Sequence, residues 1–102
     1  MADLTQNFDL TSDWVNITSQ FSLANGSSYL LDLVPQGPLG PTGTVVAAWA
    51  MTDNSIAPTV TGHSWAAKQD SLSSQSRHAQ RNGANLWMKI ITGKATLVCT
   101  QV

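Results

Sequence analysis

The sequence contains no glutamate, and only 11% of its 102 residues are charged. Six Asp against five Lys and Arg leave a formal net charge of −1. A chain so near neutrality offers no basic surface for neutralising phosphates, which sets aside nucleic acid as a partner. With no Glu, a two-carboxylate glycosidase would have to draw on two of six scattered Asp. Cys99 is the single cysteine, so neither an intrachain disulfide nor a cysteine-based metal site can form. Its place between Leu97 and Gln101 on an apolar strand face predicts a buried, inert thiol. No apolar run reaches the ~18–20 residues of a membrane span, and a membrane is not an expected partner. The first ten residues, MADLTQNFDL, are acidic and lack the apolar centre of a signal peptide, so the expectation is a protein made in the cytoplasm without a secretion step. Few Lys and no Glu also leave few good helix formers for exposed positions.

What the chain has instead is Ser and Thr, eleven of each, with many Val and with Gly and Pro in clusters. These residues suit strands and turns. Period-two alternation of apolar residues marks the strands, because successive side chains leave opposite faces of an extended backbone. The clearest case is residues 86–102, LWMKIITGKATLVCTQV, where two alternating runs flank Thr92-Gly93-Lys94. This stretch reads as a β-hairpin with Gly93 supplying the turn. A second hairpin is expected from residues 21–24 and 28–34 around Asn25-Gly26. Residues 44–52, TVVAAWAMT, read as a strand buried on both faces. Residues 63–67 read as a further short strand, 53–62 as a turn and a short extended piece, and 35–43 as a rigid Pro/Gly loop. Residues 68–85 read as one long polar loop.

The fold class expected is therefore all-β: a small β-sandwich or jelly-roll-like domain over residues 13–102, preceded by an extended N-terminal arm over residues 1–12. The apolar residues of the arm, Leu4, Phe8 and Leu10, fit neither period. They are taken as anchors for a partner, with Arg77 and Arg81 from the polar loop as complementary charge. A neutral, polar surface bearing four Trp favours association. Trp49 and Trp65 are the candidates for an oligomer interface, and the competing reading places all four Trp in the core.

No catalytic set emerges. Ser64, His63 and Asp53 can be assembled into a triad on paper, but no nucleophile elbow accompanies them. His63 and His78 stand apart without the close spacing of a metal pair. The expectation is a protein that is not an enzyme and that carries no cofactor and no metal.

One residue pattern does resemble a known group. Trp14-x-x-Ile17-Thr18 leads into Phe21-x-Leu23-x-x-Gly26-x-x-Tyr29-x-Leu31. Near the end stand Gly83-Ala84-Asn85-Leu86-Trp87-Met88-Lys89 and Thr92-Gly93-x-Ala95-x-Leu97-x-x-Thr100. Over residues 14–31 and 83–102 the chain resembles small β-structured virion proteins of tailed bacteriophages, which serve as head-decorating cement proteins or tail attachment pieces and are commonly trimers. The resemblance implies a structural virion protein, with a capsid decoration protein first and a tail or fibre component with a receptor- or carbohydrate-binding role as the alternative. It implies a homo-oligomer, a trimer, with the major capsid protein or other virion proteins as partners, and it brings no catalytic residues. A free carbohydrate-binding module, with exposed Trp stacked on sugar rings, is the rival from another class.

Overall fold

A computed structural model describes residues 4–36, 44–68 and 74–102. Among these residues eight strands and one helical turn follow in order: β1 (Thr5–Asp9), β2 (Val15–Asn16), α1 (Ile17–Gln20), β3 (Ser28–Pro35), β4 (Thr44–Thr52), β5 (His63–Lys68), β6 (Ser74–Ala79), β7 (Asn85–Thr92) and β8 (Ala95–Gln101). They build two antiparallel four-stranded sheets, β1-β8-β3-β6 and β2-β7-β4-β5. The pairing has one rule. First meets last and so on inward: β1 with β8, β2 with β7, β3 with β6, and β4 with β5. The chain is thus one long hairpin rolled up so that β8 also meets β3 and β7 also meets β4. That is the jelly roll, and the expected fold class holds.

Inner-face residues of both sheets supply the core. Ile17, Leu33, Val45, Met88 and Leu97 are fully enclosed. On β3 the inner row is Tyr29, Leu31 and Leu33, and on β8 it is Ala95, Leu97 and Cys99, all buried. Burial pushes the Cys99 thiol up from its ordinary 9.0 to about 11. The folded protein therefore holds this proton between those values while the unfolded chain releases it, so stability falls as pH rises through that window. Two results are expected. A thiol reagent at pH 8 should label Cys99 only after denaturant is added. The alkaline loss of stability should be shallower in Cys99→Ala than in the wild type, as read from urea midpoints across the window.

Four sequence expectations need correction. β7 and β8 are strands, as their alternation says, but they do not form a hairpin. Thr92 pairs with Val46 in one sheet and Ala95 with Pro35 in the other. Gly93, at φ 84°, turns the corner between the sheets, and a Cβ there would stand 3.1 Å from the Val45 side chain. The two apolar rows face each other across the core instead of lying side by side.

Residues 21–24 are not a strand either. The Asn16 side chain caps α1 by accepting from Ser19 N–H at 3.2 Å, and Phe21 N–H closes the turn on Ile17 O at 3.0 Å. Ser22 then takes φ 52°, and Leu23 N–H returns to Thr18 O at 2.9 Å. Phe21 and Leu23 are buried as alternation predicts, but from a helical turn and the coil after it.

The polar stretch 68–85 contains β6, six residues paired to β3 from Ser74 to Ala79. Residues 69–73 of that stretch lie outside the described residues, as do 37–43 of the expected Pro/Gly loop and 1–3 of the expected arm.

Most of the remaining arm is not free. Thr5–Asp9 is paired residue for residue to β8, from Thr5 opposite Thr100 to Asp9 opposite Thr96. Thr5 and Thr100 share a hydroxyl bond of 2.9 Å, and Thr96 Oγ1 donates to Asp9 at 2.7 Å.

Candidate binding site

β5 and β6 are the outermost strands of their sheets and follow one another in the chain. Among the described residues the sandwich is open on their side. A cleft of about 380 Å³ enters between the sheets there, within the size range of ligand pockets, ~300–1,000 Å³. Its floor is apolar and comes from the inner rows of the central strands: Leu31, Trp49, Leu86 and Met88. Met51, partly exposed, stands at the rim.

One wall is β5. Trp65 lies opposite Ala47 and shares its inward side, with Ser64 beside it in the lining. The other wall is β6. Ser76 lies opposite Leu31 and His78 opposite Tyr29, so both belong to the inner row, while Gln75 and Arg77 border the mouth from the outer row. The cleft thus has an aromatic and aliphatic floor and one polar wall. Among the described residues no carboxylate lines it.

Two of these side chains are held in place. The His63 ring is stacked on the Trp49 indole, with centroids 4.5 Å apart and planes 29° apart. The His78 Nε2 lies 2.9 Å from Gln80 Oε1. Gln80 is buried at 3% exposure and is the hub of this end of the fold. Its amide donates to Ala84 O at 2.7 Å and Arg81 O at 3.0 Å, and its oxygen accepts from Thr18 Oγ1 at 3.3 Å. Replacing Gln80 with Ala strands the buried Ala84 carbonyl, a loss of about 1–3 kcal/mol. The expected result is a lower urea midpoint together with an altered His78 ring signal by NMR, since His78 loses its partner.

The sequence-predicted site residues fall in different places. Trp49 and Trp65 meet in the cleft, both half-buried, and Arg77 is exposed at its mouth. Arg81 lies elsewhere, in a shallow hollow with Asp53 and Asn82. Of the three proposed anchors only Leu4 is exposed, at 65%. Leu10 is buried at 8% and Phe8 packs against the core. Phe8 sits opposite Leu97 on the inner face, which is why its sequence spacing looked aperiodic: it contributes one side chain to a short edge strand. Leu10 and Phe8 therefore stabilise the fold and are not offered to a partner.

The other two Trp lie outside the cleft. Trp87 is buried and donates to Thr52 Oγ1 at 2.8 Å, and Trp14 is half-buried beneath Lys89 Nζ at 4.5 Å from its ring centre. The polar wall of the cleft and Gln80 were missed by sequence reading, because nothing in SQSRHAQ alternates. Among the described residues no group of three or more His, Cys or Asp is placed to hold a metal, and no helix is long and apolar enough to cross a membrane.

A second surface matters. The outer row of β3 is Leu30, Asp32 and Val34, flanked by Val98 on β8. Val34 is exposed, and Leu30 and Val98 are partly so. In their midst Asp32 Oδ1 is shielded from solvent and meets no hydrogen-bond partner among the described residues.

Compared with family models, curated proteins and solved structures, the chain shows no significant match.

Proposed function

We propose that the protein is a structural, non-enzymatic subunit of a tailed-bacteriophage particle, a decoration protein that binds the head as a trimer. The observation that carries this reading is the outer face of the β1-β8-β3-β6 sheet. Along it Leu30, Val34 and Val98 form an apolar strip beside Asp32, whose Oδ1 is shielded and has no partner among the described residues, with Gln75 on its other side. A buried acceptor without a donor costs free energy until a donor arrives, and a partner laid on this face can bring one. The low charge of the chain and the resemblance in residues 14–31 and 83–102 to small phage virion proteins support the same reading. So does the jelly roll, an architecture that recurs in capsid proteins, although a fold alone does not assign a function. The alternative, a tail or fibre component that binds a receptor, draws its support from the cleft.

Sedimentation equilibrium and co-sedimentation with phage heads test the proposal. The wild type is expected to be a trimer that travels with heads. Val98→Lys combined with Val34→Lys should keep the circular dichroism spectrum and lose the heads. A monomer that ignores heads, or a double variant that still binds them as the wild type does, removes the reading.

A further inference from the structure

We infer that the cleft between β5 and β6 is a saccharide-binding site that takes one or two neutral sugar rings. The inference rests on the cleft alone and holds whether the protein sits on a head, on a tail or on neither. The lining matches a sugar in three respects. A pyranose ring has a face of C–H groups, and an indole presents a face of negative quadrupole that attracts such hydrogens. Trp49 and Trp65 both line the cleft, and the His63 stack holds the Trp49 ring in orientation before any ligand arrives. A ring held in this way loses little freedom on binding.

The rim of a sugar is a ring of hydroxyls, each of which both donates and accepts. Ser76 on the inner row of β6 does the same, with Ser64 and Gln75 at the border of the cleft from the outer rows. His78, whose Nε2–H donates to Gln80 Oε1, leaves its other ring nitrogen as an acceptor on that wall, and Arg77 borders the mouth. Charge makes the third point. Among the described residues the lining carries no carboxylate, which disfavours a cation, and the one charged side chain among them, Arg77, is exposed at the mouth. A wholly apolar ligand would bury the β6 wall without partners, which is costly. A neutral polyol with one apolar face satisfies both walls.

The test is a titration of the full-length protein with glucose, galactose, N-acetylglucosamine, maltose and lactose, read by tryptophan fluorescence and by amide NMR shifts. At least one of these should saturate with a dissociation constant near the millimolar range, about −4 kcal/mol, and shift amides on β5 and β6. Trp65→Ala should weaken it by at least about tenfold, or 1.4 kcal/mol. Ser76→Tyr, which fills the cleft from an exposed edge strand, should abolish binding with an unchanged circular dichroism spectrum. Ile56→Ser, in the exposed loop after β4, should bind as the wild type. No response to any of the five sugars up to about 100 mM, roughly a hundred times a millimolar constant, overturns the inference. So does binding that survives either Trp65→Ala or Ser76→Tyr.

Discussion

Replacing Leu97 with Asp is expected to leave no folded protein. Leu97 has no solvent exposure and lies at the middle of β8, between Phe8 of β1 and Leu33 of β3. Behind it stands the inner row of the opposite sheet, with Met88 and Val45 equally enclosed. The substitution removes a fully buried side chain, itself worth about 1.5–3 kcal/mol. It also places a carboxyl where no donor or cation can reach it. A buried polar group without a partner costs about 2–7 kcal/mol on transfer scales, and an ionised one more. The combined loss approaches or exceeds the ~5–15 kcal/mol that holds a typical domain together. Because β8 is the one strand that joins β1 to β3, its failure dissolves the whole sheet. The variant should be insoluble, or soluble with a disordered far-ultraviolet spectrum. A soluble Leu97→Asp protein with the wild-type spectrum would show that β8 is not a core strand. Leu97→Met, which keeps volume, should cost under about 1.5 kcal/mol and shows that the position is intolerant of charge and tolerant of shape.

Strand identity was legible wherever one face is buried and the other is not. Tyr29, Leu31 and Leu33 announce β3, Leu86, Met88 and Ile90 announce β7, and Ala95, Leu97 and Cys99 announce β8. The two strands missed, β1 and β6, are edges with one neighbour each. An edge of a small sandwich exposes much of both its faces, so TQNFD and SQSRHA carry almost no alternation to read. Pairing was less legible than identity. Alternation says which side of a strand is apolar, but it does not say whether the next apolar strand lies beside it or across from it. For β7 and β8 both arrangements bury the same residues, and the Gly93-Lys94 corner permits either. What decides is that each strand also has two other partners, β2 and β4 for one and β1 and β3 for the other. The cleft was half-legible for the same reason. Trp49 and Trp65 stand out in the sequence, whereas the polar wall facing them belongs to the strand that composition hides.

Removing residues 1–12 should damage the fold, and this separates two meanings that the N-terminal segment carries. If these residues were a free arm, their loss would spare the domain and abolish only attachment. The structure instead places Leu10 at 8% exposure and Phe8 against the core, and it pairs β1 to β8 over five residues. Leu10 N–H further donates to Ala95 O at 3.1 Å. Burial of Leu10 alone is worth about 1.5–3 kcal/mol, and Phe8 adds part of a similar amount. Deletion also converts β8 from a central strand into an exposed edge rich in Thr, Leu and Val, which invites pairing with other chains. The truncated protein should therefore unfold at a urea concentration well below that of the wild type, or aggregate, before any question of attachment arises. Leu4 allows that question to be asked separately. It is 65% exposed and touches the fold chiefly through its backbone carbonyl, which accepts from Gln101 N–H at 3.0 Å. Leu4→Asp should thus change stability by no more than about 0.5 kcal/mol, the usual range for a surface site. Co-sedimentation with heads then reads its contribution to attachment alone. Loss of binding in a stable Leu4→Asp protein would make Leu4 an anchor beside the β3 and β8 face. Unchanged binding would take Leu4 out of the proposed contact. A truncated protein as stable as the wild type would mean that β1 contributes nothing to the core, against the burial of Phe8 and Leu10.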